Sequence, residues 1–146
     1  MTPYSNQIST SIPQQDLKEI LSAIDFINKK LPDLVTLTPE EKSSLPKMKD
    51  STIDFVYDCL RIAKESPEIV PKNVDVAEIK KDVELVQALQ KILQPLKILV
   101  KKLKDNTQLA ESEAYLPSMA IHNAAESDKV LKERKKEIES NKLRYL

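Results

Sequence analysis

Few side chains in this chain of 146 residues have the types and spacing that chemistry needs, and each has a plain alternative. His122 is the only histidine and Cys59 the only cysteine. A histidine can serve as a general base, but it needs a group to orient it and a nucleophile within reach, and no neighbouring motif supplies either. Ringed by small residues such as Ala120 and Ala124, His122 reads as a residue at the boundary of a helix packing face. Cys59 sits beside Leu60 in a largely apolar stretch, where a buried, inert thiol is expected. One histidine and one cysteine also fall short of the usual ligand set of a transition-metal site, so no metal and no cofactor is expected.

Asp50, Asp54 and Asp58, spaced four apart, would form an acidic stripe along one side of a helix. Hard cations take oxygen ligands, yet a metal site in a helical bundle needs inward carboxylates and Glu-x-x-His pairs. Met119, not a glutamate, stands three residues before His122. The stripe therefore reads as a solvated face.

The chain contains no glycine, where average usage would place about ten. Glycine reaches positive φ cheaply, so its absence removes the usual material for hairpin turns, phosphate cradles and close backbone approach to a ligand. Hydrolase elbows, P-loops and dinucleotide-binding turns all depend on it. Motif-bearing enzyme classes are excluded on that ground, which favours a non-catalytic protein. Lysine plus arginine number 23 and aspartate plus glutamate number 23, leaving no net field to attract nucleic acid. The polar start lacks the apolar stretch of a signal peptide, and nowhere do apolar residues run long enough for a membrane span. A cytoplasmic location is the resulting expectation.

Helices separated by proline-bearing loops are the elements that remain. Leu17, Ile20, Leu21, Ile24, Ile27 and Leu31 recur at helical spacing after an entry at Ser11, Pro13 and Gln14, and Pro32 closes that helix. Thr38, Pro39 and Glu41 combine an N-cap, a proline at the first helical position and a capping-box carboxylate, but Pro46 keeps this helix short. Asp50 can cap a second long helix with inward Ile53, Val56, Tyr57, Leu60 and Ala63, stopped by Pro67 and Pro71. Asp75 and Glu78 offer a further capping box at the start of a long third helix. Its apolar face runs from Leu85 to Leu103, with a bend expected at Pro95.

A fourth helix is expected to start at Asn106 or Ser112. Its apolar stripe, Leu116, Met119, Ala120 and Ala124, thins after Glu126 to Val130, Leu131 and Ile138 amid charge. The segment KILQPLKILVKKLK would suit a membrane surface or a helix-binding partner if it stood alone, but its apolar face is expected to pack in the core. Its lysines would align with acids of the earlier helices, Lys91 with Asp50 and Lys101 and Lys104 with Glu40 and Glu41.

Short linkers between long amphipathic helices predict an all-α, antiparallel four-helix bundle with a short extra helix near residues 39–45. Residues 1–12 are expected to be a flexible N-terminus, residues 13–128 the bundle, and residues 129–146 a charged helical extension. The strings LVTLTPEEKSSLPKMKDSTIDFVYDCL, SPEIVP, DVAEIKKDVELVQALQKILQPL and SEAY, in that order, resemble a family of small bacterial helical proteins of unknown function. The resemblance covers residues 34–125 and implies a compact helical fold; it assigns no catalytic residues.

Two functions fit. The favoured one is a protein-protein interaction or scaffolding module that binds a protein partner or itself, with Val130, Leu131 and Ile138 as a narrow association seam. The alternative is a small-molecule pocket inside the bundle, enzymatic or not, near the Pro95 bend and around Tyr57, Tyr115 and His122.

Overall fold

The computed structural model describes residues 6–128 and 132–144. Its elements are α1 (Gln14–Lys30), α2 (Pro39–Ser44), α3 (Asp50–Glu65), a 3₁₀ turn (Pro67–Ile69), α4 (Val76–Ser127) and α5 (Lys132–Arg144), with no strand among the described residues. The protein is all-α, as a glycine-free chain rich in Leu, Ile, Val and Ala requires. Two units divide it: one is Ile12–Lys97, the other Met1–Ser11 with Ile98–Leu146.

In the unit Ile12–Lys97, the helix starts follow local chemistry. Thr38 closes the capping box that its sequence promises. Its hydroxyl accepts the Glu41 N–H at 3.2 Å, and the Glu41 carboxylate accepts the Thr38 N–H at 2.8 Å. Asp75 accepts the Glu78 N–H at 3.2 Å and so starts α4. At α3 the boundary falls one residue before the expected cap: Lys49 precedes the helix, and its N–H donates to the Thr52 hydroxyl at 3.2 Å. The Asp50 side chain lies outside those described. Val83 on α4, 4% exposed, is the one buried residue of this unit among those described.

In the other unit, the N–H groups of Gln7 and Ile8 both donate to the Glu113 carboxylate, the second at 3.3 Å. This ties the segment before α1 to the second half of α4. Ala125, at 9% exposure, is its one buried residue among those described. Two ion pairs join α5 to the end of α4: Lys135 to Glu126 at 2.5 Å, and His122 Nε2 to Glu139 Oε1 at 3.5 Å, the latter ionic only when the histidine is protonated.

The third and fourth helices expected from sequence are one element, α4, of 52 residues. Asn106 and Thr107 could have ended one helix and capped another. Instead the Asn106 amide donates to the Lys102 carbonyl at 2.8 Å and the Thr107 hydroxyl to the Leu103 carbonyl at 2.7 Å, so both side chains bond back within the running helix. With no glycine there, nothing interrupts it. The helix also continues through Pro95 and Pro117. Within α4, Lys101 meets Asp105 one turn on at 2.5 Å, and in the unit Ile12–Lys97 the Glu41 carboxylate is engaged in its capping box.

Candidate interaction surface

α1 carries the most regular apolar pattern in the chain and buries none of it. Leu17, Ile20, Ile24, Ile27 and Leu31 alternate spacings of three and four, the seam along which two helices interlock. Ile20 is 49% and Ile24 50% exposed, and Leu17, Leu21 and Ile27 are exposed as well. Charge is mixed along the same helix, with Lys18 and Glu19 after Asp16 and Asp25 before the last turn, but its two ends differ in sign. Asp16 lies in its first turn and Lys29 and Lys30 in its last, which also suits the helix dipole.

The end of α1 borders α4 across an open groove of about 490 Å³ at Pro95. Phe26, Ile27 and Leu31 line it from α1, and Ile92, Pro95 and Leu96 from α4. Lys30 and Lys91 are its charged members, and the Lys30 ammonium also sits 5.4 Å from the centre of the Phe26 ring. Such a lining offers apolar contact and cations but no converging set of polar groups to orient a small molecule.

A second open groove of about 810 Å³ lies between α3 and the start of α4. Tyr57, Leu60, Ala63 and Val76 form its apolar walls, and Arg61, Lys64 and Lys80 contribute charge. Arg61 is already balanced by Asp58 at 3.4 Å and Glu65 at 3.9 Å. The Tyr57 hydroxyl donates to Gln87 Oε1 at 3.1 Å, which occupies the one phenol that lines the groove.

The four candidate pocket residues fall in both units. Tyr57 and Pro95 line different grooves of the unit Ile12–Lys97, while Tyr115 and His122 belong to the other unit. Tyr115 is exposed, and the His122 Nδ1 atom is buried without a hydrogen-bond partner. Of the expected association seam, Ile138 on α5 is 46% exposed; Val130 and Leu131 lie outside the described residues. Cys59 corrects its sequence reading, because it is exposed. Val56, Leu60 and Ala63 take the more covered side of α3, and Cys59 falls beside that stripe.

Asp54 and Asp58 are both exposed, as a solvated stripe would be. No group of three or more potential metal ligands occurs among the described residues. No described helix is long and apolar enough to cross a membrane. Sequence reasoning expected a pocket near Pro95; what it missed is that the end of α1 forms one wall of the groove there and that Lys30 and Lys91 are its cations. The signal was present in the 3-4 spacing of α1 together with the acid-to-base order of its ends.

No protein-family profile, curated protein or solved structure matches the chain.

Proposed function

We propose that this chain is a non-catalytic helical interaction module, whose apolar helix faces are covered by a protein surface. The observation that carries this is the extent of its uncovered surface. Along α1 alone, Leu17, Ile20, Leu21, Ile24, Phe26 and Ile27 are 37–61% exposed, and large exposed apolar patches mark interaction sites.

The antiparallel four-helix bundle finds its place in the same proposal: helices that lack mates inside one chain complete a bundle with helices from outside it. The likeness to small bacterial helical proteins is part of the same reading and adds a fold, not an activity. A small-molecule role draws weaker support, since the groove at Pro95 is apolar with two lysines, and the Tyr57 hydroxyl is already engaged.

Sedimentation of the purified chain over a concentration series, with a hydrophobic-dye titration of any monomer, tests the proposal. A self-associated species, or a monomer that binds dye, is the expected result. A monomer that neither associates nor binds dye would overturn it.

A further inference from the structure

We infer that the occupant of the α1 seam and the Pro95 groove is a second copy of this chain, with α1 of one copy lying antiparallel on α1 of the other. The inference rests on the interaction-module proposal and names its partner.

Three observations converge within the unit Ile12–Lys97. The first is self-complementary charge. Asp16 and Lys30 stand on the same edge of the seam; in a parallel pair that edge flanks the opposite edge of the mate, where Leu21 stands, and makes no charge pair, whereas in an antiparallel pair like edges meet and each Asp16 approaches the other copy's Lys30, at both ends of the interface. The second is shape. With antiparallel packing, Leu17 layers with Ile27 of the second copy and Ile20 with Ile24, and the two-fold axis repeats each layer. The third is where this alignment brings the helix start. Asp16, Leu17 and Glu19 of the entering helix reach the groove whose apolar walls are Ile27, Leu31 and Ile92 and whose cations are Lys30 and Lys91. One helix end thus supplies a leucine for the apolar walls and, with Lys18 between its two acids, a net negative charge for the two lysines.

Neither Asp16 nor Lys30 makes an ion pair among the described residues, so both charges are available to a second chain. The net charge of zero calls for no partner of opposite sign. Two α1 helices and the two α4 segments beside them give four helices around one apolar seam, the bundle being completed between chains.

Sedimentation equilibrium of full-length wild type, Asp16→Lys, Lys30→Asp and an equimolar mixture of the two variants tests this. Each variant alone would place like charges together twice in a symmetric dimer, and its self-association should weaken about thirtyfold. In the mixture both contacts become attractive again, and affinity should return to within about threefold of wild type. Because the mixture contains the same chains, any loss of helix stability in the variants persists there and cannot mimic the recovery; circular dichroism of each variant checks that it is folded.

Variants that associate like wild type, or a mixture that fails to recover, overturn the antiparallel α1 contact and leave the interaction module standing. A wild-type chain that stays monomeric but binds hydrophobic dye overturns the second copy as occupant. A monomer that binds no dye removes both.

Discussion

Ile24→Ala separates a face covered by a partner from a face covered within the chain. The substitution removes three carbons, and full burial of each is worth about 0.8 kcal/mol, or roughly 2.4 kcal/mol together. Ile24 is 50% exposed, so roughly 1.2 kcal/mol of that is realised in the single chain. The better helix propensity of alanine returns about 0.4 kcal/mol. The remaining ~1.2 kcal/mol per copy appears only when Ile24 meets Ile20 of the second copy. It counts twice in a symmetric dimer, roughly 2.4 kcal/mol, which corresponds to an increase in Kd of about sixtyfold. Sedimentation equilibrium reads the Kd, and thermal melts at high and low protein concentration read the stability. The dilute variant should melt close to dilute wild type, and the two should diverge as concentration rises. An unchanged Kd, with a drop of about 2 kcal/mol at every concentration, would refute the reasoning by showing that Ile24 is buried in its own chain.

Val83→Ala behaves in the opposite way. At 4% exposure its two methyl carbons are already buried, so urea denaturation should show a loss of about 2 kcal/mol that does not vary with protein concentration. Thr38→Ala removes the hydroxyl that accepts the Glu41 N–H and should destabilise α2 by about 1 kcal/mol. Amide exchange at Glu41 and Lys42 should therefore quicken about fivefold, with the global melting temperature within a degree or so of wild type. Truncation after Ser127 removes α5 with its ion pairs to Glu126 and His122, each worth no more than about 1 kcal/mol. The melting temperature should stay nearly unchanged while any contribution of Ile138 to self-association, read by light scattering, is lost; a large drop in the melting temperature of a monomer would place α5 in the core.

What could be read from sequence divides along the range of the forces involved. The α2 cap was legible because Thr38, Pro39 and Glu41 satisfy one another within a single turn, and Asp75 likewise marks the start of α4. The junction at Asn106 was not, because the side chain that caps a new helix can equally bond back to the carbonyl four residues earlier. Local sequence does not decide between the two. Cys59 shows a second limit. Periodicity identifies which side of α3 is apolar, but not how wide the covered strip is or what covers it, and the thiol falls just outside it. Tyr57 and Pro95 were grouped on the premise that the helices close into one bundle within the chain, and within their unit they line different grooves.

That premise has a thermodynamic consequence for α1. A helix of 17 residues is near the length at which isolated helices become marginal in water, and α1 has no buried residue to hold it. Its aligned end charges add a few tenths of a kcal/mol each through the dipole, too little to replace a packed face. If the face is covered by a second copy, helix formation and association become linked, and the stability of α1 rises with protein concentration by mass action. The same Asp16 and Lys30 then act twice: each favours the helix end it occupies, and together they select the antiparallel mate. Reversing both in one chain would oppose the dipole at both ends even while preserving the contact between chains. That is why mixing two singly changed chains, in which each chain keeps one favourable end, isolates the pairing from the folding.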